Sequence, residues 1–293
     1  MPRGHLPLDV LRLQGREANY IPARGRSVFP FRVRMALAGL PASSVSARPD
    51  YSTIPRGNTQ KNVNREVIRY LLERSGLSPA SRVLDAPCGA GEFLATLRRF
   101  WPAAPLAGCD LRPDAPDLPD LRYQSADLSQ PFDLVAGGPG FDLVTSVSGI
   151  MMFGNTRTFI ASCARQVRPG GQLLVTNDNI TTVRDRLFYL FTGRVKRFKL
   201  LFEPDEAISQ LVQHQELRRL LEVHGFRIRE VFYTSFYTED LLFLPLALLV
   251  YPFQWLYVRG LKNSASQQLR HQLFGWRSLL YRHYVMVGEK TAE

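Results

Sequence analysis

Between Val83 and Leu97 the chain reads VLDAPCGAGEFLATL. An apolar run of β-forming residues ends on an acid, Asp85, and a turn containing Gly89 and Gly91 leads into a helical pattern. A strand, a tight turn and a helix N-terminus in this order open a nucleotide-binding α/β domain. Small residues let a ligand approach the backbone of the turn, and the unpaired N–H groups of the first helical turn face it. The stretch therefore predicts a ligand site after the first strand.

The position of the acid separates the nucleotide-binding folds. A dinucleotide fingerprint would need glycine where Leu94 stands, and a P-loop would need Gly-Lys-Ser/Thr, which this turn lacks. The pattern D-x-x-C-G-x-G instead resembles the S-adenosylmethionine (SAM) loop of class I methyltransferases. The resemblance implies that Asp85 lies near the methionine amino group and that Gly89 to Gly91 pass beneath the cofactor. Pro87 departs from the family pattern, which usually has glycine there, and it removes one N–H and stiffens the turn.

Four later segments follow the order of the same family. Residues 105–110 read as a second strand that ends on Asp110, about 20 residues past the turn, where a carboxylate suits a ribose diol. Residues 124–128 resemble the adenine-contact segment, and residues 141–147 and 167–176 resemble strand four and the turn into strand five. The cofactor contacts implied by this resemblance are Asp85, Ala86, Cys88, Gly89, Gly91, Asp110, Leu111, Asp127, Leu128 and Ser146.

The fold implied is a Rossmann-like, seven-stranded, mostly parallel sheet with helices on both faces and an antiparallel last strand. Residues 226–235 read as strand six and residues 284–289 as strand seven, with an apolar insertion between them. The spacing of apolar residues predicts helices over 62–75, 92–100, 156–167 and 215–224. The polar residues 55–62 before the first helix are candidates to line the cofactor or the acceptor, and a solvated lead-in is the alternative.

Composition and charge bound the class of protein. With 293 residues, of which 45% are hydrophobic and 22% charged, the chain can bury a full core in one elaborated domain. Its three cysteines fall in predicted core elements without Cys-x-x-Cys spacing, so we expect neither disulfides nor zinc, and a reducing cytoplasm fits. No Asp, Glu or His cluster has metal-ligand spacing, so we expect a metal-free reaction. The net charge of +11 is uneven, because residues 1–49 hold eight arginines and two acids. This distribution argues against a general nucleic-acid-binding domain.

The N-terminal segment 1–49, rich in Arg, Pro, Gly and Ser, is predicted to be a disordered tail, and residues 50–293 to form the methyltransferase domain. Its arginine-rich, acid-poor composition also resembles an organelle transit peptide. A start codon placed too early is a further alternative, since Met35 lies downstream, and whether residues 1–34 belong to the native protein stays open. The N-terminus lacks the apolar segment of a secretion signal.

Two insertions bear on the acceptor. In the first, residues 179–211, aromatic and basic residues interleave between 183 and 202, which suits an anionic bilayer surface. Stacking on single-stranded RNA is the alternative. In the second, residues 237–280, the stretch 241–258 has no charge, and its prolines are expected to interrupt it, which favours an interfacial or re-entrant hairpin over a spanning helix. A lid or a homodimer interface is open for both.

The candidate general bases are few. Methyl transfer from a sulfonium is an in-line displacement, so the protein mainly aligns the acceptor and excludes water, but an oxygen acceptor also needs a base or a desolvated site. Asp178, after strand five, and His214, at a helix start, are the candidates. His224 reads as a helix-capping residue, and His271 and His283 receive no role.

The segment after strand four bears on the acceptor atom. It reads SVSGIMMF over residues 146–153 and lacks the Asn/Asp-Pro-Pro-Tyr/Phe motif of enzymes that methylate exocyclic amines of bases. Its last three residues suggest an apolar wall, or ordinary core. The sequence therefore predicts methyl transfer from SAM, at oxygen, to a small-molecule or lipid-linked acceptor such as a polyprenyl-linked glycan, a lipid or a quinone-like phenol, with membrane contact through 183–202 and 241–258. An RNA methyltransferase and a non-catalytic SAM-binding module are the alternatives.

Overall fold

The structure is a computed structural model that describes residues 49–135, 138, 140–201, 210–262 and 265–291. The predicted tail 1–49 lies outside the described residues apart from its last residue, Pro49. Seven strands form one sheet in the order β3-β2-β1-β4-β5-β7-β6. The strands are β1 (Val83–Asp85), β2 (Leu106–Asp110), β3 (Arg122–Ser125), β4 (Phe141–Ser146), β5 (Val167–Asp178), β6 (Phe226–Thr234) and β7 (His283–Lys290).

The first five strands run parallel, and β7 inserts antiparallel between β5 and β6, which confirms the expected topology. The α-helices of the described residues are α1 (Val63–Glu73), α2 (Glu92–Phe100), α3 (Thr156–Gln166), α4 (Val183–Thr192), α5 (His214–Val223), α6 (Leu244–Gly260) and α7 (Gln267–Phe274).

Helices cover both faces of the sheet, because successive strand residues point to opposite sides. On β5, Leu173 and Val175 pack into a cluster that includes residues of α3 and α5. Leu174, between them, packs into a second cluster that includes residues of α1 and α2. The sheet is therefore the middle layer of a three-layer α/β fold, as the sequence predicted.

The carboxyl edge of the sheet is stepped, and the step positions the site. Asp85, the last residue of β1, pairs with Thr145 of β4, and Thr145 pairs with Leu174 of β5. β5 continues four residues further, to Asp178, where it pairs with His283. At about 3.3 Å per residue, β5 and β7 rise about 13 Å above the row of Asp85. They form a wall beside the shorter central strands.

Both insertions contain helices. α4 lies in the first, and α6 and α7 lie in the second. The expected interruption of the apolar stretch 241–258 by proline is wrong, since α6 runs unbroken through Pro252. Pro245 stands in the first turn of α6, where no N–H is needed. Pro252 is exposed, so the carbonyl that it leaves without a helical donor can turn to solvent while the opposite face of the helix stays packed.

Candidate functional site

A buried carboxyl closes the end of β1. Asp85 is 1% exposed, and the hydroxyl of Thr145 donates to its Oδ1 at 2.6 Å. Burial raises the pKa of Asp85 to about 8; the hydrogen bond from Thr145 lowers it, and the charge of Asp110 adds to the increase. The carboxyl thus holds its proton at neutral pH unless a cationic group comes to lie beside it.

The glycine turn keeps an open space over its backbone. Gly89 and Gly91 have φ angles of 54° and 80°, in the left-handed region that favours glycine, and the N–H of Gly89 donates to Oδ2 of Asp110 at 2.8 Å. A Cβ on Gly91 would lie 2.7 Å from Cβ of Pro116, whereas one on Gly89 would meet no atom within 4 Å. The turn is therefore packed against Pro116 at Gly91 and leaves open space at Gly89.

Pro87 is accommodated by a second glycine. The Ala86–Pro87 peptide bond is cis. A Cβ on Gly149, which follows β4, would lie 2.2 Å from Cδ of Pro87. Only glycine leaves room there for the proline ring, so the departure from the family pattern at residue 87 is matched by a small residue at the end of the neighbouring strand.

The other residues expected at the cofactor lie around this edge. Ala86, Cys88 and Leu128 are buried, and Leu111 and Asp127 are exposed. The N–H of Ala126 donates to the carbonyl of Asp110 at 2.8 Å, which brings the end of β3 beside the end of β2. The buried hydroxyl of Ser146 has no hydrogen-bond partner in the described part of the chain.

A second polar group stands at the top of the wall, and we call it the β5-edge cluster: Gln60, Asp178, Arg197, Tyr237 and His283. Asp178 is 4% exposed and accepts from Nδ1 of His283 at 3.1 Å and from Nε of Arg197 at 3.0 Å. Burial alone would raise the pKa of Asp178, but these two partners hold it below its usual value. Nε2 of His283 is buried and has no partner among the described residues. Sequence reasoning gave His283 no role.

The lead-in 55–62 covers this edge. At one end, the N–H of Asn58 donates to the carboxylate of Glu92, the first residue of α2 after the glycine turn, at 3.0 Å. At the other end, the hydroxyl of Ser235 donates to the carbonyl of Lys61 at 2.7 Å. With its carbonyl oxygen turned to the guanidinium of Arg197, the Gln60 amide lies 2.9 Å from Arg197 and 2.8 Å from the Tyr237 hydroxyl. The lead-in therefore spans from the glycine turn to the β5-edge cluster.

His214 lies on the opposite face of the sheet from Asp178. Its ring stacks on Tyr284 with centroids 4.0 Å apart, and its Nε2 lies 3.2 Å from the hydroxyl of Tyr233. Burial lowers the pKa of His214 to about 3. It is a neutral core residue, away from the β5-edge cluster. The N–H of His224 bonds to the last carbonyls of α5, as a capping residue does.

The segment after β4 is mostly core. Met151 is buried, and the ring of Phe153 packs at a tilt against Phe159 of α3 with centroids 4.5 Å apart, whereas Met152 is exposed. In the described residues no three His, Cys, Asp or Glu side chains converge as metal ligands. The candidate site therefore comprises the glycine turn, the β5-edge cluster and the lead-in that joins them.

Comparison with known proteins places the chain among methyltransferases. The family model of a methyltransferase domain matches residues 59–231. A ubiquinone biosynthesis O-methyltransferase of Thiobacillus denitrificans is 26% identical over 178 residues, 58% of this chain and 74% of that protein. A malonyl-[acyl-carrier protein] O-methyltransferase of Paenibacillus sp. is 25% identical over 130 residues, 41% of this chain and 47% of that protein. The structure of a SAM-dependent methyltransferase from Archaeoglobus fulgidus aligns with a TM-score of 0.48 at 17% identity, covering 78% of this chain and 93% of that one.

Proposed function

The chain belongs to the methyltransferase domain family, and from this premise we propose that it transfers a methyl group from SAM to an oxygen atom of a hydrophobic small-molecule or lipid-linked acceptor. The observation that carries the proposal is the stepped edge of the sheet. The glycine turn, with Asp85 and Asp110 beside it, lies next to the wall formed by β5 and β7, which bears buried polar side chains. The lead-in 55–62 bonds to both sides of this step. Relatives named for O-methylation support the choice of oxygen.

The residues at the glycine turn fit SAM. When bound, SAM supplies a methyl group on a positively charged sulfur, already activated for displacement. We assign the methionine amino group to Asp85 and the ribose hydroxyls to Asp110, whose carboxylate otherwise accepts from Gly89. Three features support this assignment. They are the open space over Gly89, the hydroxyl of Ser146 that has no partner among the described residues, and the buried carboxyl of Asp85, whose proton a cationic amino group would displace.

The chain's own contribution to the chemistry is to position the acceptor oxygen and to exclude water. Because the leaving group is already activated, aligning the acceptor oxygen and excluding water supply most of the acceleration. The lead-in 55–62 would shut the site from water once both ligands are held, since it bonds to both sides of the step. The apolar insertions beside it suit an acceptor with a hydrophobic part.

Exposed apolar side chains are concentrated in the two insertions. Seventeen large hydrophobic residues of the described chain are exposed, and all but Leu111, Met152 and Val223 lie in residues 179–211 or 237–280. Since α4 packs beside α6, we define the α4–α6 surface by six of them. They are Tyr189, Leu190, Phe191, Leu248, Leu249 and Phe253. Large apolar side chains exposed on two adjacent helices favour a contact site over ordinary exposure.

Cations next to the α4–α6 surface favour an anionic bilayer as its partner. Lys196 is exposed beside Phe188 of α4, with its Nζ 4.1 Å from the ring centroid. The guanidinium of Arg259, near the end of α6, lies 5.1 Å from the ring of Trp255. Aromatic residues interleaved with Lys and Arg settle at the headgroup boundary. The same segment carries Arg197, which bonds to Asp178, so a membrane-held acceptor would arrive close to the site.

The helical stretch Thr238–Gly260 is long and apolar enough to cross a membrane by length and composition alone. Its contacts favour an interfacial position instead. Ala247 and Val258 are buried against the domain, and the Gln254 side chain donates to the carbonyl of Phe274 in α7 at 2.7 Å and accepts from Arg186 of α4 at 2.5 Å. A helix held along its length by two neighbours lies on a bilayer surface more readily than it crosses the bilayer.

Transfer of label from methyl-labelled SAM tests the function. The purified chain is incubated with labelled SAM and a fractionated cell extract, and the labelled fraction is identified. Label that partitions into the organic phase and is released by ether or ester cleavage is the expected result. Label in nuclease-sensitive material would indicate that the acceptor is RNA. Binding of SAM without any transfer would indicate a non-catalytic binding module.

Flotation with vesicles of phosphatidylcholine and phosphatidylglycerol tests the membrane contact. The wild type is expected to float, and Phe253→Glu, in a side chain 70% exposed on α6, to reduce the floated fraction several-fold. Val223→Glu, at a side chain 65% exposed on α5 and outside both insertions, is the matched control and should float like the wild type. A wild type that stays in the bulk phase, or equal losses in both variants, would end the membrane proposal and leave methyl transfer untouched.

A further inference from the structure

We infer that the acceptor oxygen is a hydroxyl, phenolic in the simplest case, and that His283, held by Asp178, is the base that takes its proton. The inference rests on the proposed function and narrows it from any oxygen to an oxygen that must lose a proton. The two residues are 105 positions apart in the chain and meet because β7 pairs with β5.

The geometry defines which nitrogen of His283 is available. Asp178 accepts from Nδ1, and its pKa is held below the usual value, so it is ionised at neutral pH and keeps the proton of the imidazole on Nδ1. Nε2, the other ring nitrogen, is buried and has no partner in the part of the chain that the structure describes. An imidazole oriented by a buried carboxylate, with no described partner on its far nitrogen, is the arrangement of a general base.

The location of His283 supports the same role. It is the first residue of β7 and pairs with Asp178 on one side and Thr234 on the other, at the top of the wall. The hydroxyls of Thr234 and Ser235 donate to the carbonyl of Lys61 in the lead-in. The paired residues Asp178, His283 and Thr234 therefore lie beside the segment that covers the site. The acceptor would reach His283 past this segment, which hydrogen bonds from Thr234 and Ser235 hold at Lys61.

His214 provides an internal contrast. It also has one buried ring nitrogen without a partner in the described chain, yet no carboxylate orients it. Its ring is packed among aromatic side chains on the other face of the sheet. His283 differs by its buried acid, by the second bond of that acid to Arg197 and by its place beneath the lead-in.

The acceptor oxygen forms a bond to the methyl carbon as the carbon–sulfur bond breaks, and the electron pair of that bond goes to sulfur, which becomes a neutral thioether. The proton of the hydroxyl passes to Nε2 of His283, and the imidazolium is stabilised by the charge of Asp178. The proton returns to solvent when the product leaves.

The presence of a base separates hydroxyl from carboxylate acceptors. A carboxylic acid with a pKa near 4 is already ionised at neutral pH, whereas a phenol with a pKa near 10 is not. A buried, oriented imidazole therefore assists a phenol, which must lose a proton, and has no such role for a carboxylate. The β5-edge cluster therefore favours a hydroxyl acceptor over a carboxylate one.

Turnover with two simple probes tests the base. Labelled SAM is supplied with either catechol or malonate as the acceptor. The proteins compared are the wild type, His283→Gln, Asp178→Asn and His224→Gln. His224 caps α5, and its variant is the control. Wild type is expected to label catechol, and His283→Gln to lower that rate at least about 100-fold and to flatten the acid limb of the pH–rate profile. Affinity for S-adenosylhomocysteine, measured by calorimetry, should stay within twofold of the wild type in every variant.

A spectroscopic readout is independent of turnover. Nitrocatechol changes colour when its hydroxyl ionises, so its spectrum in the presence of S-adenosylhomocysteine shows whether the site removes the proton. The wild type should bind it as the anion below its solution pKa, and His283→Gln should bind it neutral.

Two results would overturn the inference while leaving the proposed function intact: an anion spectrum unchanged in His283→Gln, or label on malonate but not catechol. A wild type that binds S-adenosylhomocysteine but neither labels a probe nor ionises nitrocatechol would also overturn it. Failure of the wild type to bind S-adenosylhomocysteine would contradict the proposed function itself.

Discussion

Asp85→Asn is expected to remove a large part of the pH dependence of stability in the protein without ligands. The carboxyl is buried, and burial raises its pKa to about 8. In the unfolded chain the same group titrates near 3.9. Between these values the folded state binds one more proton than the unfolded state, so the contribution of Asp85 to stability falls as the pH rises.

The magnitude follows from the two pKa values. Each pH unit between them costs about 1.4 kcal/mol, and the loss levels off near the folded pKa, so Asp85 alone accounts for about 2 kcal/mol of stability lost between pH 6 and pH 8. Asparagine has nearly the same shape and can still accept the hydrogen bond from Thr145. The substitution therefore removes the ionisation while preserving the packing.

Urea unfolding of the full chain at pH 6 and pH 8, without SAM, measures the effect. The wild type should lose about 2 kcal/mol more than Asp85→Asn over this interval. Asp127→Asn changes an exposed carboxyl at the same sheet edge and should behave like the wild type. Equal pH dependence in the wild type and Asp85→Asn would refute the claim that burial governs this carboxyl.

Three further predictions concern other residues. Gly149→Ala places a Cβ 2.2 Å from Cδ of Pro87 and should shift the turn, weakening S-adenosylhomocysteine binding about tenfold by calorimetry. Gly260→Ala, where a Cβ meets no atom within 4 Å, is the control and should leave the binding unchanged. Asp110→Ala removes a charged acceptor and should raise the same dissociation constant about 10- to 100-fold; an unchanged value would contradict its assignment to the ribose. His214 stays neutral in the fold while the unfolded chain protonates below about pH 6.5, so stability should fall by about 1.4 kcal/mol per unit of acidification between pH 6 and 4, and His214→Phe should flatten that slope in urea titrations.

Local patterns predicted the frame of the molecule well. The helix predicted over 92–100 is α2, Glu92–Phe100, and the one predicted over 215–224 is α5, displaced by one residue. Apolar runs that end on acids became β1 and β2. These predictions succeed because the spacing of apolar residues and the backbone freedom of glycine act within a few residues of chain.

The limits of local patterns are visible in α6. Proline was expected to break the apolar stretch, but an exposed proline costs a helix one bond, and packing against α7 and α4 holds the rest. Helix propensity is a local tendency that tertiary contacts override. The same packing brings α4 of the first insertion beside α6 of the second.

By itself the sequence determined the α/β class, the order of the strands along the chain and the glycine turn at β1, because each is encoded in contiguous residues. Only the tertiary structure decided which polar residues meet at the wall. His283, Asp178 and Arg197 come together through the antiparallel insertion of β7 and the return of the chain after α4. A lone histidine at the start of a strand has no local pattern. Its partner and the face it shares are set by strand register, a property of pairs of residues far apart in the chain.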